Sequence, residues 1–176
     1  MIEINEAWVL VLAVLAWTAY RITSWRHARQ VKIAHEILVN LFFAYLLVVF
    51  HMTLFPMYIL LDNFGPNRAN FDPFLTIRNM LRYPSPYTAT HLLGNLMLLA
   101  PLGIFLPILA PSTRKWQRTL GIGFLVTLGI EIFQYFLAVR VFDIDDLILN
   151  TLGVGFGYAI FALATKILNR NPSIRD

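Results

Sequence analysis

Five apolar runs, each close to the length of a membrane span, constrain this chain more than any other feature. They lie at about residues 7–20, 33–61, 91–109, 120–138 and 147–168. A helix needs about 20 mostly apolar residues to cross hydrocarbon. Because no water is present there to satisfy backbone N–H and C=O groups, helices are the spanning element expected of such runs. The expected fold is therefore all-α: a polytopic membrane helix bundle of about five transmembrane helices in a single domain, 1–176. Composition agrees, with 58% hydrophobic and 14% charged residues, against about 45–50% and 25% in soluble domains. The competing reading, a soluble helical core, does not explain why the apolar residues fall in spans.

Taken in order, the first run is short and must borrow Ile4, Ile22 and the interfacial rings of Trp8, Trp17, Tyr20 and Trp25. It follows an acidic start, M-I-E-I-N-E, with no basic leader, and is expected to be a retained span. In the second run Pro56 is expected to kink or end the helix. Residues 62–90 carry Pro66, Pro73, Pro84 and Pro86, which break any continuous helix, together with Phe64, Phe71, Phe74, Tyr83 and Tyr87, which do not suit a solvated linker. We read this stretch as a structured capping loop on the outer face. It should include a short amphipathic helix over 74–81, capped by Asn70 with Asp72 ahead of Pro73. In the third run Pro101 falls mid-span, where a bend is tolerated if neighbours re-satisfy the freed carbonyl. The fourth has Gly121, Gly123 and Gly129 for close helix approach. The fifth has Gly153-x-x-x-Gly157, which suits intrachain packing and dimerisation equally and leaves the oligomeric state open.

Loop charge gives an orientation. The stretches 21–32 and 110–119 and the tail after 166 are basic, whereas the N-terminus and the 139–146 loop are acidic. The basic 21–32 stretch is read as a topology signal, and no nucleic-acid partner is expected. Cytoplasmic loops are rich in Lys and Arg, so the N-terminus is expected outside and the C-terminus inside. At 1.5 Å per residue, Asn95 then lies roughly 6 Å, Glu131 roughly 10 Å and Asn150 roughly 6 Å below the outer surface. His91, Asn95, Glu131, Gln134, Arg140, Asp143, Asp145, Asp146 and Asn150 come from three helices and their loops but occupy one outer layer. With Asn70, Asp72 and Phe74 above it, this layer predicts a polar pocket opening outwards.

Polar groups buried in hydrocarbon cost several kcal/mol each unless paired, so such a cluster calls for a reason. Glu131 can form a buried pair with Arg140, bind an amine, or exchange a proton. Asp143, Asp145 and Asp146 could supply oxygens to a divalent cation, with His91 adding a nitrogen for a transition metal. D-I-D-D has neither the glycine nor the spacing of a calcium loop, and the simpler reading is that Asp145 or Asp146 caps the fifth span, leaving Asp143 for Arg140 or a ligand. Asn95 and Asn150 read as interhelical hydrogen bonds, and His91 as an interfacial donor or a general base. The chain has no cysteine, which removes disulfides and thiolate chemistry. No phosphate-binding loop, nucleophile elbow or H-E-x-x-H motif is present.

Several local patterns then fall in a familiar order: N-F-D-P-F at 70–74, H-L-L-G-N-L-M-L-L-A-P-L-G-I-F-L-P at 91–107, E-I-F-Q at 131–134, R-V-F-D-I-D-D-L-I-L-N-T-L-G at 140–153 and the G-F-G-Y that follows. In order and spacing they resemble the VanZ-like membrane proteins, named for a teicoplanin-resistance protein, with the resemblance strongest over 33–165. Ala100 departs from the bulkier residue common there, which should alter packing and not chemistry. The resemblance implies a multi-pass protein of the bacterial cytoplasmic (inner) membrane, linked to the response to glycopeptide antibiotics or to the envelope. It marks Asn95, Glu131, Gln134, Arg140, Asp143, Asp145, Asp146 and Asn150 as shared motif positions, and it supplies no catalytic assignment.

Two functions follow. The first is a non-enzymatic binding protein whose partners are membrane lipids and an amphiphilic envelope molecule, either a lipid-linked wall precursor or a lipoglycopeptide. Asn70, Asp72, Asn95, Gln134, Arg140, Asp143 and Asn150 would contact it, with no cofactor. The second is a membrane-embedded hydrolase or transferase on a lipid-linked substrate, with Glu131 as acid–base group, His91 as a second catalytic candidate, and Asp143, Asp145 and Asp146 holding a divalent metal or a cationic group.

Overall fold

The computed structural model describes residues 6–27, 32–54, 69–136 and 142–170. Among the described residues the chain is all-α apart from one two-residue parallel bridge, and five segments are long and apolar enough to cross a membrane: Ala7–Arg26, Ile33–Thr53, Ala89–Leu109, Trp116–Phe136 and Ile144–Arg170. It divides into two compact units, Met1–Phe55 and Pro56–Asp176.

The first unit is a helical hairpin of α1 (Glu6–His27) and α2 (Ile33–Leu54). Here α1 runs past its expected end, so Arg21 is helical and not a free loop charge. Its guanidinium pairs with both carboxylate oxygens of Glu36, which also accepts the Trp25 indole N–H at 2.9 Å. One turn deeper the Trp17 indole donates to Asn40 Oδ1 at 3.0 Å, and the same ring stacks on Phe43 with centroids 4.4 Å apart. The expected continuation of this span to residue 61, including Pro56, lies outside the described residues.

In the second unit β1 (Ala69–Asn70) leads to α3 (Leu75–Arg82), α4 (Pro86–Leu98), α5 (Ala100–Leu109), α6 (Trp116–Phe136), β2 (Phe142–Asp143) and α7 (Ile144–Arg170). The third span is α4 plus α5. It breaks at Leu99, one residue before the first turn of α5, where Pro101 removes a backbone donor. The short helix in the capping loop is present, displaced by one residue from expectation.

α7 is the central element. Gly153 and Gly157 lie one turn apart against the α4–α5 break, where a Cβ would overlap the carbonyl oxygens of Leu96 and Ala100 respectively. Gly103 meets α7 in the same way, at the carbonyl oxygen of Val154. These are backbone-to-backbone approaches that only glycine permits. The Gly-x-x-x-Gly face is thus used within the chain. On α6, Gly123 abuts the Val154 side chain, but Gly121 and Gly129 have nothing within 4 Å of an added Cβ. The expectation that all three glycines serve close packing is corrected by helix phase. Thr119, Gly123 and Thr127, four apart, point inward, whereas a displacement of two residues rotates a side chain to the opposite side.

At the basic end, a single 3₁₀ turn at Pro111–Thr113 links α5 to α6. The Thr119 hydroxyl donates to the Thr113 carbonyl and the Tyr158 hydroxyl to the Arg114 carbonyl, at 2.5 and 2.6 Å, so α6 and α7 both grip this turn.

Candidate functional site

The opposite end of the second unit gathers the polar residues. It is built where α4 begins, α6 ends and α7 begins. On α6, Thr127, Glu131 and Gln134 follow one another at four and three residues on one buried face. On α7, Asp146 and Asn150 are four apart, also buried. Glu131 is only 3% exposed and Asp145 0%.

D-I-D-D distributes its carboxylates to three different elements. Asp143 stands immediately before α7, and its Oδ1 accepts the N–H of Asp145 at 2.9 Å. It is therefore the N-cap of α7, satisfying one of the donors that a helix start leaves open. The expected cap, Asp145 or Asp146, is corrected: α7 starts at Ile144, three residues before the expected boundary, so both fall inside its first turn. Asp143 Oδ1 also accepts the Asn70 side-chain N–H at 3.1 Å, and Oδ2 accepts the Thr76 hydroxyl at 2.7 Å. The parallel bridge pairs Asn70 with Asp143 and Ala69 with Phe142, bringing these groups together.

Asp145 turns the other way. Its Oδ1 accepts the Phe74 N–H at 2.6 Å and its Oδ2 the Ile77 N–H at 3.1 Å. These are donors at the start of α3, so Asp145 caps that helix from 71 residues away in sequence. The expected cap by Asn70 and Asp72 is corrected. Asn70 Oδ1 closes a local turn onto the Asp72 N–H at 3.1 Å, and Phe74 intervenes with a left-handed backbone, φ 66°. That conformation costs a non-glycine residue about 1–2 kcal/mol. Here it aims the Phe74 N–H at the carboxylate. Asp145 thus lies between the positive ends of two helix dipoles, α3 and its own α7, which favour a negative charge without requiring a cation.

Asp146 Oδ1 accepts the side-chain N–H of Asn95 on α4. Asn150 Nδ2 donates to the Thr127 hydroxyl at 3.0 Å, whereas its Oδ1, also buried, has no hydrogen-bond donor among the described residues. Glu131 Oε2 accepts the Asp143 backbone N–H at 3.2 Å, which ties α6 to the start of α7. Gln134 is buried beside it, and His91 is half-buried one turn before Asn95.

The layer expected from the sequence thus brings together Asn70, Asn95, Glu131, Gln134, Asp143, Asp145, Asp146 and Asn150. Asp72 stays outside it, forming an exposed ion pair with Arg78 at 3.2 Å. Arg140 lies outside the described residues. Among the described residues no group of three His, Cys, Asp or Glu side chains is placed to hold a metal ion, and the hydrogen bonds say why: Asp143, Asp145 and Asp146 face different partners. Four contributors escaped the sequence reading. Thr127 could have been found by extending the Glu131 stripe back one turn. Thr76 and the N–H groups of Phe74 and Ile77 carry no signal in sequence, because they meet the aspartates only through tertiary structure.

Chemically the layer is rich in acceptors. It can receive N–H and O–H donors from a bound molecule at Asn150 and present a carboxylate at Glu131. Residues 42–165, well over half of the chain, match the family model described as VanZ/LLP1. No curated protein and no solved structure gives a significant match.

Proposed function

The chain belongs to the VanZ/LLP1 family, and from that premise we propose that it binds an amphiphilic envelope molecule and thereby contributes to teicoplanin-type resistance or envelope homeostasis. It sits in the bacterial cytoplasmic membrane as a multi-pass protein, with its N-terminus outside and its C-terminus in the cytoplasm. The acidic end of the helices faces outward. The loop charges support this orientation, because Arg114, Lys115 and Arg118 before and within the start of α6, and Lys166 and Arg170 at the end of α7, fall at the opposite end.

One observation carries the reading. Glu131 and Gln134 on α6 and Asn150 on α7 are all buried, Asn150 meeting α6 at Thr127 one turn before Glu131, and the Asn150 carbonyl oxygen lacks a donor among the described residues. A buried acceptor left open costs about 1–3 kcal/mol, so a fold retains one where a ligand or water completes it. The amide and hydroxyl donors of a lipid-linked wall precursor or of a lipoglycopeptide have the matching chemistry. The ligand's acyl part would lie along the lipid-exposed helix faces. The alternative, a hydrolase or transferase working through a metal on Asp143, Asp145 and Asp146, would need carboxylates that already accept hydrogen bonds from the starts of α7 and α3 and from Asn95 on α4.

The test is expression of the wild type and of Glu131→Gln, Asn150→Ala and Arg140→Ala variants in a teicoplanin-sensitive bacterium. The wild type should raise the inhibitory concentration, and the variants should lose that effect at unchanged membrane levels. Unaltered resistance in all three would refute the reading.

A further inference from the structure

α3 has no buried residue, although its sequence is amphipathic. Thr76, Ile77 and Met80 turn toward the protein and are partly covered, while Leu75 and Leu81 point away beside Arg78 and Arg82. The flanking rings are equally bare: Phe71 is 68%, Phe74 53% and Tyr83 69% exposed, with Leu81 at 69%. Leaving so much apolar surface in water forfeits about 25 cal/mol for each Å².

The hydrogen bonds fix where this surface lies. Asp145 ties the start of α3 to the first turn of α7, and the β1–β2 bridge ties the preceding residues to those just before α7. The other end of α3 runs through Tyr83 into α4, which begins at Pro86 and enters its apolar span at Ala89. Both ends of α3 are thus held at the starts of two spans, the level at which hydrocarbon gives way to headgroups. Eight residues make a helix about 12 Å long, too short to span and suited to lie across that boundary. Rings with one polar edge, and arginines, are the residues that favour this depth. The Arg82 guanidinium lies 5.9 Å from the centroid of the Tyr83 ring, pairing a phosphate-binding cation with an interfacial aromatic.

We infer that α3 with Phe71, Phe74 and Tyr83 is an in-plane membrane anchor, which beds its exposed apolar side in the headgroup–acyl boundary of phospholipids and offers Arg82 to their phosphates. Phe136, at the end of α6 that leads toward α7, is likewise bare, 77% exposed. Asp145 is the anchor's clasp: it sets the depth of the anchor from the start of α7. This role requires only that the chain spans a membrane, and it stands whichever molecule the polar layer binds.

Because the chain has no cysteine, single labels can be placed cleanly. Leu81→Cys and, separately, Tyr83→Cys are made in the full chain, labelled with an environment-sensitive fluorophore, and reconstituted into nanodiscs of phosphatidylethanolamine and phosphatidylglycerol. Iodide probes water, and nitroxide-bearing lipids probe the bilayer. The anchor predicts blue-shifted emission, quenching by nitroxide lipids and loss of iodide quenching at both positions. Introducing Asp145→Ala should restore iodide quenching. Iodide quenching like that of free dye at both positions overturns the inference. So does protection that appears only where two copies share a disc and the residue-81 cysteines cross-link, which would make the face a contact between copies. Either failure leaves the resistance assay above unaffected, because that assay reads the polar layer.

Discussion

Replacing Asp145 tests the link between D-I-D-D and the cap most directly. The carboxylate is fully buried and receives two backbone N–H groups of α3 at 2.6 and 3.1 Å. Hydrogen bonds to a charged group contribute about 1.5–3 kcal/mol each. Asp145→Ala removes both, so at the lower value α3 loses about 3 kcal/mol of docking free energy, equivalent to about a 100-fold rise in its opening constant. Asp145→Asn keeps one acceptor oxygen and turns an N–H₂ toward the second donor, so about half of that effect, close to tenfold, is expected. The lower value is appropriate because water reaches the freed N–H groups once α3 lifts. Hydrogen exchange of peptides covering 75–82, measured in nanodiscs, reads this opening without requiring global unfolding. The surface ion pair supplies the control. Asp72→Asn removes a contact between half-exposed groups, worth at most about 1 kcal/mol, and should change exchange by less than about fivefold. If Asp145→Ala left exchange over 75–82 within about threefold of wild type, under about 0.7 kcal/mol, the two bonds would not hold the cap and the clasp argument would be wrong.

Gly153→Ala and Gly157→Ala each drive a methyl group into a backbone carbonyl that cannot rotate away. The loss should exceed the about 1–3 kcal/mol usual for overpacking and appear as lost folded protein in detergent melts. Gly155→Ala, with nothing within 4 Å, should be neutral or stabilising by up to about 1 kcal/mol. A double-mutant cycle of Asn95→Ala and Asp146→Ala, read by melting or by exchange of α4, should give a coupling of about 0.5–3 kcal/mol. Strict additivity would dissolve the α4–α7 link. For topology, Ser85→Cys should react with a membrane-impermeant thiol reagent in intact cells and Ser112→Cys only after permeabilisation; the reverse pattern would invert the bundle.

Most of the skeleton is legible because hydrocarbon imposes it. Five runs become five spans, Pro101 fixes the break in the third, and the prolines and rings of 62–90 locate a short helix to within one residue. What is not legible is which side of each span faces its neighbours. In a soluble helix the apolar stripe marks the core. Here the lipid-facing side is as apolar as the packed side, so periodicity is silent and only small or polar residues report a face. Gly121 and Gly129 show the limit of that signal. They look like Gly123, and only phase relative to α7 separates them. Arg21 shows another limit, since its charge reads as a loop signal until α2 places Glu36 opposite it.

The polar layer is the instructive case. That Asp143, Asp145, Asp146, Glu131, Asn95 and Asn150 share a depth follows from counting residues along helices. That Asp143 and Asp145 serve the starts of two different helices, while Asp146 takes the side chain of Asn95, does not, because helix N-termini carry their positive potential in backbone N–H groups common to every residue type. A run of acids near a span boundary therefore looks the same in sequence whether it awaits a cation or caps helices. Only tertiary structure brings in their partners, and here Asp143 meets α7, Asp145 meets α3 and Asp146 meets α4. Because substituting these three would also disturb helix contacts, Glu131, Gln134 and Asn150, together with Arg140 of the undescribed 137–141 stretch, are the groups whose substitution should alter binding while the cap stays in place.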